Sequence, residues 1–226
     1  MTTIGFIGSG KIGETVARLA ASAGYQVVLS NSRGPETLQA LVADIGPLAS
    51  AATAEQAAEQ GDIVVVAVPL RAYRDIPAAP LAGKPVIDAN NYYPERDGQI
   101  GELDTRSATS SELLQRHLGS ARVVKGFNNI YFKHLLNLAR PHGAPDRTAL
   151  LIAGDDADAL KAVTEFLDAI GYHAVESGPL ANSWCQEPGS AAYGGVYGPF
   201  DNEAGTPVAA DDLRTRITGA RRPAGG

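Results

Sequence analysis

Hydrophobic positions along this chain follow two rhythms. Short unbroken or alternating apolar runs predict strands, and apolar residues recurring every three or four positions predict helices. Ile4–Ile7 is the first run, and Lys11–Ala23 follows it as a helix with Ile12, Val16, Leu19 and Ala20 on one face. Gln26–Ser30 reads as a second strand through Val27, Val28 and Leu29. Pro35–Ile45 reads as a second helix, its proline suited to a first turn. Ile63–Val68 runs Ile-Val-Val-Val-Ala-Val, the pattern of a central parallel strand covered on both faces. Val86–Ala89 and Arg122–Lys125 are shorter strands, with a helix over Ser110–His117 between them capped by Thr109 or Ser110. Thr148–Ala153 is a further strand, Asp156–Ile170 an amphipathic helix closed by Gly171, and Tyr172–Glu176 a last short strand.

Strands alternating with helices imply right-handed crossovers and a mostly parallel sheet, an α/β fold of the doubly wound Rossmann type. After Glu176 the texture changes: Gly and Pro become dense, with Trp184, Tyr193, Tyr197 and Phe200 among them. The chain therefore divides into a dinucleotide-binding domain, 1–176, and a small C-terminal segment, 177–226, expected to complete a substrate pocket or a dimer contact. One late helix is expected over Asp211–Ile217, and a frayed tail from Arg221 onward.

Composition narrows the function. The chain has 226 residues, 44% hydrophobic and 19% charged, with a formal net charge of -6. That balance argues against a nucleic-acid partner, and the Arg221–Arg222 pair reads as a solvated tail. A single cysteine, Cys185, rules out an internal disulfide framework and a cysteine-rich zinc site, and beside Trp184 it reads as a small packed thiol. With neither a secretory pattern nor an apolar run of membrane-spanning length, a cytoplasmic protein without a membrane partner is expected.

The sharpest local signal is Gly8-Ser9-Gly10-Lys11-Ile12-Gly13, a G-x-G-x-x-G between a predicted strand and a predicted helix. Gly8 allows a tight turn, Gly10 admits a pyrophosphate to the backbone, and Gly13 lets helix and strand pack closely. A site for NAD normally carries an acid near the end of the second strand. Here that strand runs out as Ser30-Asn31-Ser32-Arg33, offering hydroxyl, amide and guanidinium donors that suit a ribose 2′-phosphate and hence NADP.

These residues resemble the coenzyme F420-dependent NADP oxidoreductases, and related reductase domains of metalloreductases. The resemblance is carried by residues 5–36 around the glycine loop, Ala67-Val68-Pro69, Val86–Asn91, Val123–Ile130, Ile152–Asp156 and Glu176–Ser183, and it spans roughly residues 1–187. It implies dinucleotide contacts from Ser9, Gly10, Lys11, Ile12, Ser32, Arg33, Val68 and Pro69, with the Phe127–Ile130 loop beside the nicotinamide. It also implies direct hydride transfer between nicotinamide C4 and C5 of a deazaflavin, coenzyme F420. Such chemistry needs positioning more than acids and bases. At Trp184 the chain departs from the archaeal members, which continue with an apolar helix.

No catalytic dyad stands out. Asn128 and Asn129 are candidates for bonding the nicotinamide amide or the second ring, or for shaping a turn. His134 is a candidate proton donor or part of a helix start. His117, His142 and His173 have no metal-like spacing and are expected on the surface; Asp155-Asp156 reads as a helix cap, and no metal is expected. Tyr193, Tyr197 and Phe200 are candidates for stacking on a flavin-like ring or for core or dimer packing. Pyrroline-carboxylate reductases and β-hydroxyacid dehydrogenases open similarly but need a long helical C-terminal domain, which the residues after Glu176, few and rich in Gly and Pro, are not expected to supply. The remaining alternatives are an NADPH-dependent reductase of another small-molecule substrate, an imine or a flavin, and a non-catalytic NADP(H) sensor. A homodimer is the expected assembly.

Overall fold

The computed structural model describes residues 1–220, so the tail expected from Arg221 onward lies outside the described residues. The strands are β1 (Thr3–Ile7), β2 (Gln26–Ser30), β3 (Ala49–Ala51), β4 (Ile63–Val66), β5 (Pro85–Asp88), β6 (Arg122–Lys125), β7 (Ala149–Gly154) and β8 (His173–Glu176). They form one sheet in the order β3-β2-β1-β4-β5-β6-β7-β8. All neighbours are parallel except β6 and β7. The order reverses between β1 and β4, which is where a doubly wound sheet opens a crevice beyond its strand ends.

The helices are α1 (Lys11–Ser22), α2 (Gln39–Ile45), α3 (Ala54–Gln60), α4 (Pro94–Asp97), α5 (Gly101–Asp104), α6 (Ser110–Leu118), α7 (Phe132–Asn137), α8 (Ala157–Ala169) and α9 (Ala210–Thr218). Strand side chains alternate between faces, so one run serves two cores. Ile63 and Val65 of β4 join a cluster with α1 and α8, whereas Val64 and Val66 join a cluster with α6. The unbroken apolar reading of this strand is thus explained by coverage on both sides. No helix among the described residues is long and apolar enough to cross a membrane.

Several boundaries differ from the sequence reading for local reasons. The expected helix over Pro35–Ile45 begins as a 3₁₀ turn, Pro35–Leu38. The Thr37 hydroxyl folds back onto the Gly34 carbonyl at 2.7 Å, and the Thr37 N–H bonds the same oxygen at 3.2 Å, tightening that turn. β4 stops at Val66 because Ala67-Val68-Pro69 turns into the crevice. α6 is capped by Thr109 in a reciprocal box with Glu112. Asp156 caps α8, and Gly171 follows that helix with φ +107.

Beneath the crevice lies a buried ion pair. Lys125, at the end of β6, and Asp88, at the end of β5, both have fully buried side chains. The Lys125 ammonium donates to Asp88 Oδ2 at 3.1 Å, to the Asn90 carbonyl at 2.6 Å and to Ser110 Oγ at 3.0 Å, spending all three protons. Asp88 also accepts from the Ser111 hydroxyl at 2.7 Å and from the Asn90 N–H at 2.9 Å. A buried pair that loses one partner leaves a charge without compensation. Lys125→Met is expected to cost about 3–5 kcal/mol in urea unfolding, and adding Asp88→Asn should recover part of the loss. Equal stability of the single and double variants would argue against the pair's coupling.

A second ion pair sets an acid limit. Arg147, nearly fully buried, donates to the Asp168 carboxylate and carbonyl. This bond chiefly holds the Asp168 carboxyl below its ordinary pKa. Its contribution is complete above the unfolded carboxylate pKa of about 4 and is lost as pH falls through the lower native value. Asp168→Asn should therefore flatten the acid side of the melting-temperature profile, and an unchanged profile would count against this linkage.

Candidate active site

The turn after β1 is built by close approach. Gly8 has φ +103, and a Cβ there would lie 2.3 Å from the Ala67 carbonyl oxygen. A Cβ on Gly13 would lie 2.1 Å from the Gly8 carbonyl oxygen, so α1 can press onto the loop only with glycine there. Gly10 is different: nothing lies within 4 Å of where its Cβ would be. It is the N-cap of α1 yet provides no side-chain cap, so the first N–H groups of this helix face open space. A helix start with free donors and a favourable dipole suits an anion.

Two cavities flank this point and share Gly10, Ala67, Val68 and Pro69. One, of about 480 Å³, is bounded by Gly8, Ser9, Ser30, Asn31, Ser32 and Arg33. Ser32 and Arg33 are exposed on its rim. Asn31 shapes the turn: its Oδ1 accepts the Arg33 N–H at 2.9 Å and its Nδ2 donates to Thr37 Oγ1 at 2.9 Å. Asp75, at the end of the 3₁₀ turn Leu70–Asp75, is the one carboxylate lining this half, and sequence reasoning missed it.

The other cavity, of about 360 Å³, takes in Lys11 and Ile12 from α1, Asn90, Asn91, Tyr93 and Arg96 from beyond β5, and Asn128–Phe132 from beyond β6. Tyr193, Gly194 and Phe200 of the C-terminal segment close it. The Val68 N–H donates to Asn90 Oδ1 at 2.9 Å, and the Asn90 carbonyl is held by Lys125, so the buried pair sets the floor of this half. Phe127, buried beneath the loop, has φ +62, a strained value for a bulky residue. Lys11 lies 5.5 Å from the Phe132 ring centroid, and Arg96 4.9 Å from that of Tyr93.

The structure reassigns several candidates. Asn128 and Asn129 do border the cavity, and their side-chain amides donate to the C-terminal segment, that of Asn128 also to Asn91 Oδ1 at 3.0 Å. Asn128 Nδ2 donates to the Gln186 carbonyl at 2.7 Å, and Asn129 Nδ2 to the Ala192 carbonyl at 2.8 Å. His134 is a correction: it is fully buried outside the cavity lining, with Nε2 bonded to the Asn202 carbonyl at 2.8 Å and its ring edge-on to Tyr131. Tyr197 is likewise a core residue, fully buried with its hydroxyl on the Ala149 carbonyl at 3.2 Å. Tyr193 and Phe200 do line the cavity.

The remaining polar candidates have structural positions. Cys185 is buried, and that burial pushes its thiol pKa up. Asp155 accepts the Leu180 N–H at 3.1 Å. His142 and His173 are exposed, whereas His117 is half-buried, with Nε2 on the Ile76 carbonyl at 2.9 Å. Tyr93 and Arg96 went unnoticed in the sequence because nothing in the local Asn-Tyr-Tyr-Pro-Glu-Arg run marks them. Only the return of the chain at Tyr193, whose hydroxyl hydrogen-bonds that of Tyr93, does so.

Comparison with known proteins agrees with this geometry. The family described as "NADP oxidoreductase coenzyme F420-dependent" matches residues 3–92. The F420-dependent NADP reductase of Methanothermobacter marburgensis is 28% identical over 190 residues, 78% of this chain and 83% of that protein. Metalloreductase STEAP3 of Rattus norvegicus is 29% identical over 182 residues, covering 80% of this chain but only 34% of its own length. Among solved structures, a hypothetical protein, SMa0349, from Sinorhizobium meliloti aligns with a TM-score of 0.74 and 30% identity, over 85% of this chain and 93% of that one. A glycine loop at an uncapped helix start, within a doubly wound sheet that aligns with the Sinorhizobium structure over most of both chains, leads to one assignment. Residues 3–92 carry the match to the coenzyme F420-dependent NADP oxidoreductases, and the chain is an NADP-dependent oxidoreductase.

Proposed function

We propose that this protein binds NADP(H) across the two cavities and exchanges hydride with a deazaflavin, coenzyme F420, in the smaller one. The observation that carries this reading is the open space over Gly10, at the start of an uncapped helix, between a rim bearing Arg33 and a half walled by aromatic rings. The backbone N–H groups around Gly10, Lys11 and Ile12 would hold the pyrophosphate, and Ser9 would add a hydroxyl. Ser32 and Arg33 would hold the 2′-phosphate, with Asn31 fixing their turn. Val68 and Pro69 would lie against the ribose and nicotinamide. Reduced nicotinamide supplies a hydride, and the protein's part is to hold a flat acceptor ring against it and keep water out.

The walls support an acceptor of that shape. Tyr131 and Phe200 lie with ring centroids 5.3 Å apart, Phe132 packs beside them at 4.7 Å from Tyr131, and Tyr93 and Tyr193 contribute from other sides. In this reading 177–226 is the segment that completes the second-substrate half, and a homodimer remains the assembly we favour.

Arg33→Ala should weaken NADPH binding by about 1.5–3 kcal/mol, the range for a hydrogen bond to a charged group, and leave NADH binding nearly unchanged in a fluorescence titration. Equal loss for both cofactors would remove the 2′-phosphate role. For the acceptor, NADPH and oxidised F420 mixed with the protein should bleach the deazaflavin absorbance. Intact NADPH binding without bleaching would redirect the search to an imine, a flavin or a sensor role.

A further inference from the structure

We propose that Tyr193, backed by Tyr93, donates the proton that must accompany hydride to the acceptor in the smaller cavity. The proposal rests on the hydride-transfer reading above and deepens it. An acceptor that gains hydride at carbon pushes an electron pair onto a nitrogen, a ring nitrogen in a deazaflavin, and that nitrogen then takes a proton. His134, the proton donor offered by the sequence, is buried outside this cavity, and Lys11, which lines it, sits at the glycine-loop end over the Phe132 ring. The two phenols do line it, and their hydroxyls are bonded to each other.

Tyr193 is held in place with unusual directness. The residues on either side of it are both fastened by Asn129. Its side-chain amide donates to the Ala192 carbonyl at 2.8 Å, and its own carbonyl accepts the Gly194 N–H at 3.1 Å. Tyr93 is held from the other side by the Arg96 guanidinium over its ring. That guanidinium is itself fixed on the Asn91 carbonyl at 2.7 Å and on Asp97 at 2.8 Å. Neither phenol needs such fastening to serve as packing.

A supply route is also present. Tyr93 also lines a second cavity, of about 500 Å³. This outer cavity is edged by the exposed residues Glu95, Arg106 and Gly189 and contains Asp104 and Glu187. A pair of hydroxyls shares one hydrogen bond and leaves one proton over. In the step we propose, the Tyr193 O–H bond breaks as the N–H bond forms on the acceptor. The Tyr193 oxygen then takes the Tyr93 proton, and Tyr93 is reprotonated by water from the outer cavity. The net change is one proton consumed with each hydride delivered. Burial pushes the Tyr193 pKa up, so the donor stays protonated through the neutral range.

The test compares the full-length protein with its Tyr193→Phe and Tyr93→Phe variants, using NADPH and oxidised F420 as the probe. Tyr193→Phe should lower the single-turnover rate roughly a hundredfold, the scale of general acid catalysis, with NADPH affinity within about twofold of the parent. Its rate should also fall as pH rises through neutrality, where the parent's is flat, because the proton must now come from solvent. Tyr93→Phe should show a smaller loss with the same pH trend. An independent readout needs no turnover: with tyrosines labelled at Cζ, the resonance missing from Tyr193→Phe should shift when F420 is added to the parent with NADP⁺. A Tyr193→Phe variant with the parent's rate, or a Tyr193 resonance that F420 does not move, overturns the proposal while leaving the hydride reading intact. A rate loss matched by an equal loss of NADPH affinity also overturns it. Failure of the parent itself to reduce F420 overturns the hydride reading, and the proton-donor role with it.

Discussion

An ammonium group deep inside a protein is tolerated only where every proton on it is used, and Lys125 meets that condition at the point where the site is assembled. Its three bonds reach the end of β5 through Asp88, the chain beyond β5 through the Asn90 carbonyl, and the start of α6 through Ser110. Asn90 in turn holds the Val68 N–H, so the turn after β4 is fixed by the same group. Ser110 carries the connection outward, since its N–H and hydroxyl both donate to Glu187 Oε1, at 2.9 and 2.7 Å. Three strand ends, one helix start and the C-terminal segment thereby share one buried polar network beneath the crevice. Hydrophobic packing sets the spacing of the sheet, but it has no means of fixing where a loop beyond a strand end must lie. Directional bonds to a buried charge do.

The segment after β8 is fixed by the same kind of argument from the other side. It has little regular structure between Gln186 and Ala209 and many glycines, so its own backbone cannot define its path. Asn128 and Asn129 supply that definition from the loop beyond β6. Each spends a side-chain amide on a carbonyl of the segment, and Asn91 closes the set by donating to the Asn128 carbonyl at 2.7 Å. Asn128 and Asn129, read from the sequence as ligands of the nicotinamide amide or second ring or as turn residues, thereby hang one wall of the cavity they border. Farther along, Tyr197 anchors the segment in the core and His134 ties down Asn202.

What could be read from the sequence was whatever a local pattern forces. β1, β2 and β4 announce themselves because a strand buried on both faces must be apolar without interruption. The glycine loop announces itself because Gly8 and Gly13 sit where any Cβ would collide with backbone. β3 and α3 were missed because their stretch is rich in alanine, in Ala49, Ala51, Ala54, Ala57 and Ala58, which packs closely but leaves no strong hydrophobic period. The role of Asn129 depends on a partner 63 residues away, and that of Tyr93 on one 100 residues away. His134 illustrates the limit most sharply. A histidine just after a cofactor-side loop has the right chemistry on paper, but the helix α7 that begins at Phe132 turns its ring into the interior.

Electrostatics explains how an acidic protein can suit a highly anionic cofactor. The net charge of -6 acts at long range and is screened within about 10 Å at ordinary ionic strength. Inside the crevice only near groups count: Lys11, Arg33, Arg96 and the open start of α1 line the two cavities, against the single carboxylate of Asp75 among the described residues. The acids gather on the other side of Tyr93, where Glu95, Asp104 and Glu187 surround the outer cavity. Tyr93 lines both cavities, so a cationic half lies on one side of it and, on the other, a half in which three carboxylates outnumber Arg106. This separation of charge favours an extended anionic ligand along the glycine loop over one in the space beyond Tyr93.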